Sequence, residues 1–339
     1  MLTVAGTPAL FTSRSDSPFL EPDTTSRYLD ENAARYPDSP FEPGIRAVLH
    51  QQPSFDFTDL ELITDRYALI RLLELATGGN REDFNFGAQI IGNTVMFIRS
   101  DSAEHANQST ICGYRESFEK AYLQYEPELK ATSKHYRIIT YKFGAMKIML
   151  RHAADAYLPP AQGDLIDLTD LSDSQFGNVT IRSTGTLVSQ ASVTEFMTLN
   201  AKHKLDHRIR QKLCEAWLSQ THQFAVVKYA LVYTGPKKYK APGPRKAHFP
   251  QSGTDIYSKK EITEAVHPIA VEKFYEMLKG LLQDIRSQAA GREEWGGLVS
   301  YKRGEEGLHP LTAHDDLPGL SKELRDRLKT PQNAMASRT

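Results

Sequence analysis

The stretch that decides the fold is HYRIITYKFGAMKIMLRHAADAY, residues 135–157. Its β-branched and aromatic residues predict two strands, Tyr136 to Phe143 and Lys147 to Ala153. Gly144 lies between them and is typical of a tight turn, so the two strands are expected to pair as a hairpin. A carboxylate, Asp155, follows directly after the second strand.

Strand and helix patterns alternate on both sides of this hairpin. Further strand-like segments are Phe84–Ile91, Thr94–Ile98, Val193–Leu199 and Phe224–Tyr233. Helical periodicity occurs from Asp59 to Gly78, over Glu116–Tyr125, over Leu205–Trp217 and from Pro268 to Ile285. Because hairpins are interleaved with helices, the sequence predicts an α/β fold of the mixed α+β kind, with a single mixed β-sheet flanked by helices.

Composition divides the chain into three parts. Residues 1–55 are rich in proline, serine and acids and predict an extended N-terminal arm. Residues 56–305 carry the strand and helix patterns and form the predicted mixed-sheet domain. Residues 306–339 predict a surface helix followed by a loose C-terminal tail.

The overall composition is that of a globular protein in a reducing compartment. The 339 residues include 41 Lys and Arg against 42 Asp and Glu, which excludes a bulk polycation. Cys112 and Cys214 are far apart and show no metal-ligand spacing, so neither a disulfide scaffold nor a thiolate zinc site is expected. No apolar run is long enough to span a membrane, and Met1 to Phe11 lacks the basic start of a secretory signal. A cytoplasmic location is expected.

Familiar cofactor motifs do not occur in the sequence. There is no GxGxxG, GxxxxGK[ST], HExxH or GxSxG, and the histidines lack metal-ligand spacing, so no cofactor and no metal ligand is predicted. Helical prenyl diphosphate synthases need two aspartate-rich motifs, whereas the only adjacent aspartates are Asp315-Asp316.

Positive charge is concentrated between Lys202 and Lys246. This segment holds eleven basic residues against two acidic ones, although the whole chain has a net charge of −1. The basic residues with the most regular spacing are Lys204, Arg208 and Lys212 on one predicted helix face and Lys237, Lys238 and Lys240 in a loop. Such a basic stripe suits an RNA phosphate backbone. Two alternatives remain: a solvated helix face, and a split nuclear-import signal formed by Lys237-Lys238 and Arg245-Lys246.

Three carboxylates lie next to apolar elements and are candidate catalytic residues: Glu119, Asp155 and Glu195. One carboxylate per element is how hard-metal nuclease sites are assembled. Taken singly, each acid is also typical of an ordinary surface or ion-paired residue.

The order of these acids resembles the decapping exoribonuclease family. The likeness rests on Gly113-Tyr114 before Glu119, an Arg-x-x-x-Asp ending at Asp155, and Glu195-x-x-Thr, and Trp217–Gln220 is similar to a later motif of that family. It covers about residues 110–230 and implies a PD-(D/E)xK nuclease-like core, with Tyr114 and Gln220 as candidate RNA-binding residues.

The sequence departs from that family at two positions. Ala153 stands where the family's Glu-x-Asp motif has its glutamate, and Met197 stands where its Glu-x-Lys motif has lysine. Losing one electrostatic group of this kind commonly costs ~10²–10³ in rate. The resemblance therefore implies the fold, while the departures predict that RNA hydrolysis is lost.

A second resemblance covers most of the chain. Asp30–Pro37, Thr64–Arg66 and His135–Tyr141 look like a fungal family often labelled "geranylgeranyl pyrophosphate synthetase", a label that the motifs do not support. This group is similar to the fungal arginine-containing cyclodipeptide synthases. Those enzymes are associated with a DDxxE motif, and the nearest match, Asp315–Gly319, lacks its glutamate.

Two functions follow as expectations. The first is the synthesis of an arginine-containing cyclic dipeptide in secondary metabolism from arginyl-tRNA and a second aminoacyl-tRNA. Glu119, Asp155 and Glu195 would then bind the arginyl guanidinium. The second is a non-catalytic RNA-binding regulator derived from the nuclease fold, with the nucleus as an alternative location. A metal nuclease with a rearranged site is a third reading.

A structural criterion separates the two main expectations. An open acidic pocket lined by Tyr114, Tyr141 and Tyr157 favours the enzyme, and a buried, ion-paired acid cluster favours the regulator. The sequence makes no prediction about the oligomeric state.

Overall fold

The computed structural model describes residues 7–331, apart from 13, 25, 26, 29, 80, 81, 100–104, 107–112, 131, 133, 160–164, 168–172, 183, 184, 203–205, 234–244, 293, 310, 315 and 316. Several residues named above lie outside the described residues: Cys112, Lys204, Lys237, Lys238, Lys240, Asp315 and Asp316.

The described helices are α1 (Glu31–Arg35), α2 (Glu42–Gln51), α3 (Arg66–Ala76), α4 (Arg115–Tyr122), α5 (Asp206–Leu218), α6 (Lys259–Glu264), α7 (Pro268–Gln288) and α8 (Lys322–Lys329).

The described strands are β1 (Leu10–Phe11), β2 (Phe19–Leu20), β3 (Arg27–Tyr28), β4 (Leu62–Asp65), β5 (Phe84–Ile91), β6 (Thr94–Arg99), β7 (His105–Ala106), β8 (Leu123–Gln124), β9 (His135–Phe143), β10 (Met146–Ala154), β11 (Ala156–Tyr157), β12 (Leu165–Asp167), β13 (Ser174–Phe176), β14 (Val179–Ile181), β15 (Thr186–Val188), β16 (Val193–Asn200), β17 (Gln223–Tyr233), β18 (Arg245–His248), β19 (Thr254–Ser258), β20 (Glu294–Tyr301) and β21 (Thr312–Ala313).

Two mixed sheets dominate the fold, so the mixed α/β prediction is confirmed and the single sheet is corrected. The first sheet has the order β21-β20-β5-β6-β4-β10-β9. The second has the order β2-β18-β17-β16-β11-β1-β8, with β19 also paired to β17. Strand patterns in a sequence indicate which segments are extended, but they do not indicate which sheet a strand joins. The chain passes from the first sheet to the second at Asp155, between β10 and β11.

The predicted central hairpin is present. β9 and β10 pair antiparallel, from Met146 opposite Phe143 to Ala154 opposite His135. Gly144 has a φ of 59°, the left-handed conformation that favours glycine in such a turn. The hairpin around Gly92 is also present, as β5 and β6.

A short strand, β4, was missed by the helical interpretation that began at Asp59. All four of its residues are buried, and it lies between β10 and β6, parallel to both. A short run buried on both faces carries no alternation, so its periodicity does not distinguish strand from helix. Its last residue, Asp65, caps α3 by accepting hydrogen bonds from the amides of Tyr67 and Ala68.

The described parts of the two ends pack against the rest of the fold. β1 and β2 join the second sheet, and Ile45 and Val48 of α2 are buried. Leu324 and Leu328 of α8 pack into the same apolar cluster as α2. The main core lies between the first sheet and the helices α3 and α7.

Candidate functional site: an acid cluster held by two arginines

The site forms where the two sheets meet. Asp155 lies between β10 and β11, and β11 pairs antiparallel with the start of β16, which carries Glu195. Helix α4 brings Arg115 and Glu119, one turn apart, to the same place. The corner between β4 and α3 supplies Arg66, the first residue of α3.

Arg115 joins two of the predicted acids. Its Nε donates to Glu119 Oε1 at 2.8 Å, and its Nη2 donates to Asp155 Oδ1. The other oxygen of Asp155 accepts from the backbone amide of Phe196 at 3.1 Å, and the Arg115 guanidinium lies over the Phe196 ring. Glu119 and Asp155 are therefore both hydrogen-bonded, and Asp155 accepts from a guanidinium and from a backbone amide.

Arg66 holds the third predicted acid. Its Nη1 donates to Glu195 Oε1 and, at 2.8 Å, to Ser219 Oγ. Its Nη2 lies 3.4 Å from Glu215 Oε2. Thr221 Oγ1 also donates to Glu195 at 3.3 Å, and the Glu195 side chain is only 4% exposed. The Glu195 side of the cluster is thus buried, Arg115 and Glu119 are 30% and 26% exposed, and all three predicted acids are ion-paired.

Burial and charge act against each other in this cluster. Burial lowers the pKa values of Arg66 and Arg115, but the surrounding acids outweigh it and raise both above their ordinary values. Burial raises the pKa of Glu195 despite the nearby Arg66. Burial also raises the pKa of Glu215, but Arg66 and Lys212 outweigh it and lower that pKa overall. Both guanidinium groups therefore remain charged at physiological pH.

These residues do not fit a divalent cation. Carboxylate sites for such ions need several oxygens directed at one point, free of competing cations. Here Arg115 lies between Glu119 and Asp155, and Arg66 lies against Glu195. Among the described residues, no group of three or more His, Cys, Asp or Glu side chains is arranged to hold a metal ion.

A buried arginine, Arg137, and a buried histidine, His152, lie on the neighbouring strands β9 and β10. Arg137 is fully buried and has no carboxylate partner in the described part of the chain; its donors reach Gln190 Oε1 at 3.1 Å and the Val188 carbonyl at 2.5 Å. Burial lowers its pKa to about 10. His152 Nδ1 lies 3.9 Å from Glu195 Oε1, and burial, reinforced by nearby arginines, keeps the pKa of this imidazole well below its ordinary value.

A second ion-paired cluster brings together residues from the stretches that resemble the fungal family, namely Asp30–Pro37, Thr64–Arg66 and His135–Tyr141. Arg151 donates to Asp30 and to the Pro40 carbonyl, and it lies 3.8 Å from Asp65. Asp30 and Asp65 are also the N-caps of α1 and α3. Tyr136 Oη donates to Asp30 at 3.4 Å. These residues hold two helix starts against β10, which is a structural role.

The predicted RNA-binding residues are dispersed. The Tyr114 hydroxyl donates to the Arg245 carbonyl at 3.3 Å, and its ring packs against Tyr229. Gln220 has a φ of 52° and donates to the Trp217 carbonyl at 2.9 Å, closing the turn after α5. These contacts connect Tyr114 to β18 and β17, and Gln220 to the end of α5.

The basic stripe is partly neutralised. Lys212 pairs with Glu215 at 2.7 Å, so it belongs to the acid cluster. Lys228 and Lys246 pair with Asp255 and Glu21. Of the stripe's described basic residues, the exposed ones without an acidic partner are Lys202, Arg208 and Arg210.

Sequence reasoning missed four charged residues around the site, three cations and one acid. Arg66, Arg115, Glu215 and Arg137 were not singled out, although Arg66 and Arg115 each lie in a quoted motif. The available signal was spacing: Arg115 precedes Glu119 by four residues, which places both on one helix face.

Comparisons with known proteins show the fold. The sequence profile described as "Domain of unknown function (DUF8563)" matches residues 1–201. No curated protein matches the chain.

Solved structures of Rai1 are similar at 11% identity. Scheffersomyces stipitis Rai1 gives a TM-score of 0.53, over 96% of this chain and 87% of that one. The same protein in complex with (3′-NADP)+ and calcium ion gives 0.52, over 96% and 86%. Schizosaccharomyces pombe Rai1 in complex with 3′-FADP gives 0.53, over 91% and 87%. The chain therefore has a fold similar to that of Rai1. Among the described residues, no helix is long and apolar enough to cross a membrane.

Proposed function

We propose that this chain, which belongs to the DUF8563 family, is a non-catalytic RNA-binding regulator. It is built on a decapping-nuclease-like fold, and two of its own arginines neutralise the acid cluster. The Rai1-like fold supports the nuclease ancestry. The acid cluster argues against retained hydrolysis.

The observation that carries this proposal is the position of Arg66 and Arg115. Each places a permanently charged guanidinium against the acids that a nuclease would offer to a cation. A divalent ion would have to displace an ion-paired, hydrogen-bonded arginine and also overcome its repulsion. Ala153 and Met197, in place of a glutamate and a lysine, remove two further groups that hydrolysis would need.

RNA binding is supported by charge on α5. Arg208 and Arg210 are exposed there and have no acidic partner among the described residues. Lys202, just before the helix, is also exposed. Cations that neutralise phosphates release counterions, so this face favours a salt-dependent contact with an RNA backbone.

One assay with two readouts tests the proposal. Labelled single-stranded RNA is incubated with the full chain in Mg²⁺ or Mn²⁺, and binding and integrity are both measured. We expect intact RNA and an affinity that falls steeply between about 50 and 200 mM salt. Arg208→Glu should bind several-fold more weakly, while the matched control Lys322→Glu, on the exposed face of α8, should bind as the parent does.

Two outcomes would contradict the proposal. The first is metal-dependent cleavage that disappears in Glu119→Gln, a variant of a partly exposed acid that keeps the side-chain shape. The second is an RNA affinity that ignores both salt and Arg208→Glu.

A second candidate function is the arginine-containing cyclodipeptide synthase. The supporting observation is that the predicted acids already bind guanidinium groups. Arg115, 30% exposed, is the more accessible of the two, so an arginyl group would replace Arg115 between Glu119 and Asp155. The amine of one aminoacyl-tRNA would attack the ester of the other, which forms a dipeptidyl-tRNA and releases the first tRNA. The free amine of that dipeptide would then attack its remaining ester, which closes the ring and releases the second tRNA.

Mass spectrometry of a heterologous host separates the candidates. A new arginine-containing cyclic dipeptide, lost in both Glu119→Ala and Asp155→Ala, would establish the enzyme. No new product from well-folded protein that still binds RNA would leave the regulator. Full product from both variants would remove the acids from the mechanism.

A further inference from the structure

A groove on the helical side of the first sheet is separate from the acid cluster. Helix α3 packs against both α5 and α7. Between them lies a groove of about 920 Å³, lined by the last turns of α3, the first half of α5 and the start of α7. None of the cluster's acids lines it. A volume of this size is typical of a site for a small ligand.

The floor of the groove is apolar. Its side chains are those of Ile70, Leu73, Ala76, Cys214, Val266 and Ala270. Burial raises the pKa of Cys214 to about 11, so this thiol is neutral and behaves as an apolar group. Ile269 stands at the rim and is 57% exposed, an apolar side chain with no described cover.

The acids of the groove are already paired, whereas two cations are not. Glu74 accepts from Arg71 at 3.1 Å and from Gln211 at 2.6 Å, and Arg71 also pairs with Glu82. Arg210 on α5 and Lys273 on α7 have no acidic partner among the described residues. The groove therefore has an apolar floor and an unneutralised positive rim.

We propose that this groove binds an amphiphilic anion: one aliphatic chain with a carboxylate or phosphate head. The chain would cover the apolar floor and Ile269, and the head would lie between Arg210 and Lys273. Charge complementarity selects the anionic head. The paired acids leave no comparable site for a cationic one.

This inference shares one residue, Arg210, with the RNA contact proposed on α5 and is otherwise separate from it. Lys273 and Ile269 belong to α7 and take no part in the acid cluster or in the basic face of α5. Ile269→Ser therefore tests the groove without changing the RNA contact, and Arg208→Glu tests the RNA contact without changing the lining of the groove.

Titration calorimetry with dodecyl phosphate below its micelle concentration tests the groove on the full chain. We expect one site, with hexyl phosphate binding at least about a hundredfold more weakly because it buries fewer methylene groups. The double variant Arg210→Glu/Lys273→Glu should bind at least about tenfold more weakly. Ile269→Ser should lose affinity without loss of fold, because that side chain is exposed.

The matched control is Lys279→Glu, which reverses a charge on the same helix outside the groove and should keep the parent affinity. Circular dichroism checks that each variant folds. Equal binding of dodecyltrimethylammonium, which has the same chain and the opposite charge, would overturn the proposal. Unchanged affinity in the double variant would do the same.

A vesicle experiment separates a free amphiphile from a membrane headgroup. Phosphatidylcholine vesicles containing phosphatidic acid are compared with dodecyl phosphate alone. Binding to the monomeric amphiphile, with no added binding to vesicles, supports the groove. Binding to vesicles without binding to the monomeric amphiphile would overturn it, because the protein would then recognise a charged membrane surface and not a single amphiphile molecule.

Discussion

Replacing Arg66 tests how the acid cluster is held together. Arg66 bridges Glu195 and Glu215, and the Glu195 side chain is only 4% exposed. Arg66→Met keeps an unbranched side chain but removes the charge, so Glu195 becomes a buried carboxylate without its arginine. Breaking a buried pair in this way costs about 3–5 kcal/mol of unfolding free energy. Because Arg66 is 17% exposed, we expect the lower end, about 3 kcal/mol.

The loss of unfolding free energy in Arg66→Met should depend on pH in a defined direction. Burial already raises the pKa of Glu195, and the loss of Arg66 raises it further. A carboxyl whose folded pKa exceeds its unfolded value contributes stability below the unfolded pKa and loses it as pH rises through the folded pKa. The deficit of Arg66→Met should therefore be largest near neutral pH, diminish as pH falls through the raised folded pKa of Glu195, and be smallest below the ordinary pKa of a glutamate, about 4.3.

Urea unfolding, followed by circular dichroism at neutral and acid pH, measures this deficit. The control is Arg71→Met on the same helix, whose partly exposed ion pairs should be worth less than about 1 kcal/mol. Adding Glu195→Gln to Arg66→Met should recover much of the loss, because the buried charge is gone. A loss below about 1 kcal/mol, or one that is the same at both pH values, would refute this account of the cluster.

Three other predictions concern the binding of Mn²⁺, the titration of His135 and the packing of helix α2. Arg115→Ser, which frees two carboxylates, should gain thermal stability from millimolar Mn²⁺ in differential scanning fluorimetry, whereas the parent should not; equal shifts in both proteins would argue against the arginine as the resident cation. Burial lowers the pKa of His135 to about 3, so the stability it contributes above its unfolded pKa should fall by up to about 1.4 kcal/mol per pH unit as pH drops below about 6.5. His135→Gln should flatten that slope in urea titrations, and an unchanged slope would exclude His135 as its source. Ile45→Ala should cost about 2–5 kcal/mol, because Ile45 is 1% exposed within the α2 cluster; a near-zero cost by urea unfolding would mean that α2 is only an appendage.

Local structure was readable from the sequence where a single element determined it. The β9–β10 hairpin, the Gly92 turn and the start of α7 at Pro268 each have a signal within a few residues. The assignment to two sheets has no such signal, because β10 and β11 are separated by one residue and nothing in that residue encodes the change of partner.

The candidate site was readable only in part. Glu119, Asp155 and Glu195 were singled out by their positions after apolar segments, and the structure places them in one cluster. The cations were not, because Arg66 and Glu195 are far apart in sequence and meet only through the packing of α3 against the sheets. An ion pair between distant segments leaves no periodic trace in a single sequence.

The place of Asp155 between the two sheets has a mechanical consequence. This residue is the one-residue seam where the chain leaves one sheet and enters the other, and its carboxylate is fastened on one side to Arg115 and on the other to the backbone of β16. Any ligand that competes for that carboxylate would weaken the contacts at the junction between the two sheets. We expect its binding to loosen the junction between the two sheets, visible as faster hydrogen exchange in β11 and β1.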